Sequence, residues 1–191
     1  MEKIAVIGLS CLFPGAKTYE VFWRNLMGQK DLRSLATEEQ LGVDARGFYD
    51  PQKGKADKYY CMKGGYIHDF ELDPTGFQLS PEFIQGLDDV FQWSLYVARE
   101  ALKDSGYWGN ADVLARCGAI LGNLSFPTKS SNHLFLPVYH QAIESSLRSL
   151  LEDKDFNLAP FSPLRKTSPD NGRISGYPAA VIAQALSLSG V

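Results

Sequence analysis

Cysteines, histidines and one adjacent pair of carboxylates are the groups in this sequence whose chemistry could go beyond packing. Cys11, Cys61 and Cys117 are odd in number and widely separated, and none belongs to a CxxC unit. That spacing signals neither a zinc site nor a disulfide framework, and each reads as a small buried hydrophobe with a reduced thiol. His68, His133 and His140 have no HExxH partner. His133 and His140 are two helical turns apart in number, but Pro137 between them argues against one continuous helix. Ser10 follows an apolar run as a nucleophile elbow would, yet the GxSxG frame is absent and Pro14 stands where a helix should begin. Gly8-Leu9-Ser10 does not complete GxGxxG and there is no Walker loop, so no phosphate cradle is signalled. Asp88-Asp89 opens a helix, where neighbouring side chains diverge and acidic residues suit the dipole, so a catalytic carboxylate pair is not indicated.

The elements that must position these groups follow from pattern. Lys3 to Gly8 and Cys117 to Gly122 are short apolar runs ending in glycine, as expected of buried strands in a mostly parallel sheet. Thr18 is placed to cap a helix with Tyr19, Phe22, Trp23 and Leu26 on one face. Asp31 to Gly65 is polar, contains Gly42, Gly47, Gly54, Gly64 and Gly65, and lacks a period; it reads as a long surface excursion. Tyr66–Phe70 suits a strand closed by Asp73 and Pro74. Ser80-Pro81 has the form of a helix start. Leu87, Val90, Phe91, Ser94, Leu95, Ala98, Ala101 and Leu102 then make one stripe, stopped at Gly106. Asn123 to Asn132 is a loop of small hydroxyl residues, Pro137 starts a helix carrying Tyr139, Ile143, Leu147 and Leu150, and Pro160, Pro163 and Pro169 break the chain. Ala179 to Leu188 is a last helical run. Strand, helix, long crossing, helix, strand, helix is the order of an α/β layered fold.

The composition narrows the classes. With 45% hydrophobic and 21% charged residues, the 191-residue chain can build a core and is not a disordered polyelectrolyte. A formal net charge of -3 with scattered cations offers no field for nucleic acid. No apolar run is long enough to span a bilayer or to act as a leader, which predicts a cytoplasmic protein without membrane insertion. From the residues alone the reading ends at an α/β domain of undetermined reaction.

A resemblance extends it. Ile4-Ala5-Val6-Ile7-Gly8-Leu9-Ser10-Cys11-Leu12-Phe13-Pro14-Gly15, followed by Phe22-Trp23-Arg24-Asn25-Leu26, resembles the opening of polyketide and fatty-acid β-ketoacyl synthases. Phe48-Tyr49-Asp50-Pro51, Gly64-Gly65-Tyr66-Ile67, Leu79-Ser80-Pro81, Ala101-Leu102-Lys103-Asp104-Ser105-Gly106-Tyr107 and Gly172-Arg173-Ile174-Ser175 continue it in family order. Gly122 to Asn132 is similar to the large subunit of bacterial omega-3 polyunsaturated fatty acid synthases, which carries ketosynthase, chain-length-factor and dehydratase parts. One departure stands at Leu87-Asp88-Asp89-Val90-Phe91-Gln92, where ketosynthases usually carry Met-Asp-Pro-Gln; similar loosening occurs in chain-length factors.

What the resemblance implies is a thiolase-like α/β layered fold, with residues 1–191 as an N-terminal portion incomplete at its C-terminal end. In the family a cysteine takes up the acyl chain and two histidines assist decarboxylation of a malonyl-carrier thioester. The resemblance places that cysteine and both histidines beyond Val191, so no residue here is assigned a catalytic role and no metal is expected. Leu124, Ser125 and Phe126 correspond to a loop near the acyl pocket, and Phe161 to a segment approaching a dimer partner. No cofactor is expected to bind directly; the phosphopantetheine arm of an acyl carrier protein would present the substrate. The implied partners are that carrier protein and a ketosynthase-like dimer partner or chain-length factor. Two other roles stay open: a chain-length factor without its own nucleophile, and a module that grips a carrier protein or synthase partner.

Overall fold

The computed structural model describes residues 3–37, 40, 47–123, 128–159 and 166–190. Side-chain caps set where most of its helices begin. Thr18 accepts from the Val21 amide and opens α1, Tyr19–Met27. Between α1 and the next helix lies a two-residue antiparallel ladder, β1 (Ser34–Leu35) on β2 (Lys63–Gly64), with Ser34 opposite Gly64. Ser80 caps the short α2, Pro81–Gln85, whose first-position proline needs no amide partner. Asp88 caps α3, Asp89–Asp104, and Asn110 caps α4, Ala111–Leu114. Thr128 and Ser131 form a reciprocal capping box at the head of α5, Lys129–Leu151. A 3-10 turn at Pro169–Gly172 leads to α6, Tyr177–Leu186.

The core is the contact between α3 and α6. Phe91 and Leu95, four residues apart, lie on one face of α3, and Leu87 just ahead of the helix joins them. They meet Val181, Ile182, Ala185 and Leu186, while Leu72 and Ile84 close the cluster. Phe91, Leu95, Val181 and Ala185 have no solvent exposure. Tyr177 packs edge-on to Phe91 with ring centres 6.0 Å apart. Two polar ties fix the preceding segment: the Gln78 amide donates to the Ala185 carbonyl at 2.9 Å, and buried Arg99 donates from Nη1 to the Asp73 carbonyl at 2.7 Å. The Arg99 guanidinium also lies against the Phe77 and Tyr96 rings, so its charge is satisfied although the residue is only 7% exposed.

Several expectations are corrected. Lys3–Gly8 and Cys117–Gly122 are neither buried nor in a ladder among the described residues: Ile4 is 97% exposed, Val6 85% and Ile120 104%. A strand of a parallel sheet is buried only when helices cover its faces and strands its edges. Here each run meets neighbours on one side. A Cβ on Gly8 would stand 2.5 Å from the Ala101 carbonyl oxygen, so the first run lies directly on α3. The Gly190 amide donates to the Cys117 carbonyl at 2.8 Å. The Asp31–Gly65 excursion carries the β1–β2 ladder, and Tyr66–Phe70 forms no strand because that ladder stops at Gly64. The long helix starts at Lys129 with Pro137 inside it, because the Thr128 capping box sets the start eight residues ahead of the proline's position in the helix. His133 and His140 therefore do share one helix. The last helix runs two residues earlier at each end than its apolar pattern indicated.

Truncating Phe91 to alanine removes a ring with no exposed surface and should cost about 3–5 kcal/mol. Val6→Ala, at a residue in solvent, should change stability by less than about 0.5 kcal/mol. Denaturant midpoints of the two variants check the contrast.

Candidate functional site

The loop assigned to the acyl pocket, Leu124, Ser125 and Phe126, lies outside the described residues, as does Phe161; the structure gives their flanks. Before the loop, Asn123 donates from Nδ2 to the Ile174 carbonyl at 2.7 Å. After it, Thr128 donates its hydroxyl to Asp88 Oδ2, and the Ser130 amide donates to the same oxygen at 3.0 Å. Asp88 Oδ1 accepts from the Asp89 amide at 2.8 Å. One carboxylate, 6% exposed, thus caps α3 and grips the first turn of α5.

Asn171 completes the cluster. Its Oδ1 accepts from the Asp88 amide at 2.7 Å, and its Nδ2 donates to the Gly86 carbonyl at 3.0 Å and to Thr167 Oγ1 at 2.8 Å. Every polar atom of this side chain is engaged, as burial to 1% exposure requires. The sequence showed Asp88 as a first-turn acid and Gly172-Arg173-Ile174-Ser175 as a familiar stretch. Nothing in it showed that Asn171 and Thr128 meet Asp88 there, since they lie 83 and 40 residues from it along the chain.

Beside the cluster runs a groove of about 940 Å³, walled by Phe13 and Pro14, by Tyr66 and His68, and by Trp93 and Lys129. A second, mainly apolar groove of about 510 Å³ follows the outer side of α3 between Leu12 and the run 117–121, and shares Leu12 and Trp93 with the first. These grooves can receive a chain or a covering element. They contain no activated nucleophile.

Cys61, Cys117, His68 and His140 are engaged in structural hydrogen bonds. Cys117 Sγ donates to the Val113 carbonyl at 3.2 Å and exposed Cys61 to the Lys63 carbonyl. Burial, and then the Glu20 carboxylate, push the Cys11 thiol above its ordinary pKa, opposite to what a thiolate nucleophile needs. The Thr37 amide donates to Gln40 Oε1, which leaves Gln40 Nε2 to donate to His68 Nδ1 at 3.2 Å. His68 Nε2 then carries the proton and donates to Ser34 Oγ at 2.7 Å, so both ring nitrogens are used. His140 Nε2 donates to the Leu158 carbonyl at 2.9 Å, and His133 Nδ1 is buried without a partner. Among the described residues no cluster of histidine, cysteine and carboxylate could hold a metal ion.

Comparison with known proteins defines the class. The profile described as "Beta-ketoacyl synthase, N-terminal domain" matches residues 1–191. A keto synthase–chain length factor structure, PfaC, is similar over 96% of this chain and 20% of its own, with a TM-score of 0.84 and 51% identity. The oxazolomycin ketosynthase domain OzmH KS7 of Streptomyces albus JA3453 is similar over 97% of this chain and 27% of its own, at TM-score 0.61 and 20% identity, and shows the fold. A polyunsaturated fatty acid synthase polypeptide of Thraustochytrium sp. is 28% identical over 158 residues, 82% of this chain and 6% of that protein. Polyketide synthase PksM of Bacillus subtilis is 33% identical over 131 residues, 66% of this chain and 3% of that protein. The fold is that of the thiolase-like ketosynthases. The chain belongs to the β-ketoacyl synthase family and matches its N-terminal domain, while spanning only a small fraction of the relatives' length.

Asp88→Ala leaves the Thr128 hydroxyl and two amides without their acceptor and should cost about 3 kcal/mol, whereas Asp89→Ala on the exposed side of the first turn should cost about 0.5 kcal/mol. Equilibrium unfolding measures both. Under native conditions iodoacetamide should modify Cys61 before Cys11, because Cys61 is exposed while the Cys11 thiol is partly covered and pushed up; peptide mass mapping over a time course reads the order.

Proposed function

We propose that this chain is the N-terminal portion of a β-ketoacyl-[acyl carrier protein] synthase. The parent elongates acyl chains by decarboxylative condensation with a malonyl-carrier thioester, in polyunsaturated fatty acid or polyketide synthesis. The observation that carries the reading is the family match over residues 1–191, joined to 51% identity with a keto synthase–chain length factor structure. The hydrogen-bonded Cys61, Cys117, His68 and His140 and the raised pKa of Cys11 agree with a division of labour: these residues supply scaffold and binding surface, and the nucleophilic cysteine and its histidines come from sequence that follows. On this reading Leu124, Ser125 and Phe126 border the acyl pocket, Phe161 approaches the partner, and an acyl carrier protein delivers substrate on its phosphopantetheine arm. The uncovered runs 3–8 and 117–122 are then strands whose remaining neighbours belong to the rest of the synthase. The protein acts in the cytoplasm; no helix among the described residues is long and apolar enough to cross a membrane.

A second reading, a chain-length factor that gates the growing chain without its own nucleophile, is favoured by one feature. Leu87-Asp88-Asp89 replaces the usual Met-Asp-Pro-Gln stretch, and Asp88 is spent on structure.

The parent protein, incubated with acyl- and malonyl-carrier protein, should release carbon dioxide and form a β-ketoacyl thioester, while residues 1–191 alone should do neither. A parent that binds acyl chains without condensing them would favour the chain-length factor. Acyl loading of residues 1–191, seen by intact mass and lost in Cys11→Ala, would overturn the division of labour.

A further inference from the structure

Two segments far apart in the sequence meet at one imidazole. Thr37 and Gln40 bond each other twice: the Gln40 amide donates to Thr37 Oγ1 at 3.2 Å, and the Thr37 amide donates to Gln40 Oε1 at 2.9 Å. A backbone amide only donates, so the second bond fixes which end of the carboxamide is oxygen and turns Nε2, a donor, toward His68 Nδ1 at 3.2 Å. Nδ1 must then accept, and the single ring proton lies on Nε2, 2.7 Å from Ser34 Oγ. Both contacts hold only for the neutral imidazole in that one tautomer. A proton added at Nδ1 sets N–H against N–H, and turning the carboxamide over to receive it strips the Thr37 amide of its acceptor.

We infer that this constellation is a pH-sensitive tie: uptake of a proton by His68 releases Gln40, and Thr37 with it, from the wall of the groove of about 940 Å³ that all three residues line. The ladder is left in place, because Ser34 and Leu35 pair with Gly64 and Lys63 through backbone, and the Ala36 amide donates to the Met62 carbonyl at 2.9 Å. The releasable part therefore starts after Ala36. His68 is exposed, so it exchanges protons with solvent without any opening of the core. The neutral form carries the bonds, which makes the tie intact at high pH and progressively lost as imidazoles take up a proton, between about pH 8 and 5. Other charged and titratable groups surround it. Tyr66 and Asp69 from the same segment, Asp88 and Asp89 at the head of α3 and Lys129 at the head of α5 wall the groove. Lys17 Nζ donates to the Asp69 carbonyl at 3.0 Å, and near Ser34 the Asp31 carboxylate pairs with Arg33 at 2.9 Å and Lys63 at 3.1 Å. These groups set the pH at which the tie gives way; its sign follows from the donor that Gln40 presents. The inference goes beyond the synthase reading and does not depend on it.

Hydrogen–deuterium exchange of the full-length parent, followed by mass spectrometry and corrected for the intrinsic pH dependence of amide exchange, reads the tie in the peptide from Leu35 to Gln40, with α3 as the internal reference. Between about pH 7.5 and pH 5.5, protection of that peptide relative to α3 should fall about threefold or more. His68→Gln should abolish the pH dependence. Gln40→Glu should reverse it, because a carboxylate keeps an acceptor for the Thr37 amide and offers a second to a charged imidazole. Equal protection of the unsubstituted protein at the two pH values would overturn the inference, and so would a pH dependence that survives in His68→Gln, since the surrounding carboxylates would then own the titration. A Gln40→Glu protein that still loses protection in acid would overturn it as well, with the histidine left in place.

Discussion

Asp88 imposes the constraint on which the arrangement of helices depends. Its carboxylate is removed from water, and a buried acceptor is stable only when donors surround it. The Asp89 amide, the Ser130 amide and the Thr128 hydroxyl supply them, and they come from the first turns of two helices. Both helix ends need acceptors for their free amides, so one side chain answers the capping requirement of α3 and α5 together. Asn171 then locks the Asp88 backbone to the turn that feeds α6. The apolar contact between α3 and α6 provides most of the burial, but it does not by itself dictate where α5 starts or how the 123–128 loop is held. The polar cluster does.

The same helix α3 is covered on one side only. Phe91 and Leu95 face α6, while the outer side carries the backbone of the first run at Gly8 and the apolar groove beside residues 117–121. A glycine is needed at position 8 because the helix backbone occupies the space a Cβ would take. Such close approach is characteristic of a strand laid on a helix in a layered α/β fold, and the exposed Ile4, Val6 and Ile120 are what a sheet looks like when its strands lack their covering layer. The likeness to ketosynthase structures, despite a ladder of only two residues among the described ones, follows from this. Helix packing fixes the frame among the described residues, where strand pairing amounts to the two-residue ladder.

Local signals were readable in the sequence to the extent that local physics set them. Thr18, Ser80 and Asp88 precede helices and cap them, Gly106 adopts φ +75 just after α3, and the Leu87-Phe91-Leu95 spacing marks the buried face. The proline at 137 misled because proline disfavours a helix interior by what it removes, an amide and space at one turn, and the capping box and packing around α5 outweigh that loss. The apolar runs 3–8 and 117–122 were legible as strands by composition, yet burial depends on partners that pattern cannot supply. In the candidate site, Asp88 was visible as a residue but not as a hub. Its partners lie 40 and 83 residues away along the chain, a separation that no spacing rule spans.

The contents of the site also explain why residue chemistry alone pointed to no reaction. Nucleophilic catalysis by cysteine needs a thiolate stabilised by a cation, an imidazolium or a helix N-terminus. Cys117 instead donates to a carbonyl at the end of α4 and Cys61 to another carbonyl, while burial and then the Glu20 carboxylate raise the Cys11 pKa and favour its protonated form. His68 spends both nitrogens in tying Ser34 and Gln40 together. Cys117, Cys61 and His68 are thus fasteners for backbone or side chain. A portion built this way supplies shape and surface: it holds the two ends of the 123–128 loop at fixed points, and it leaves the apolar groove along α3 lined by side chains without an activated nucleophile.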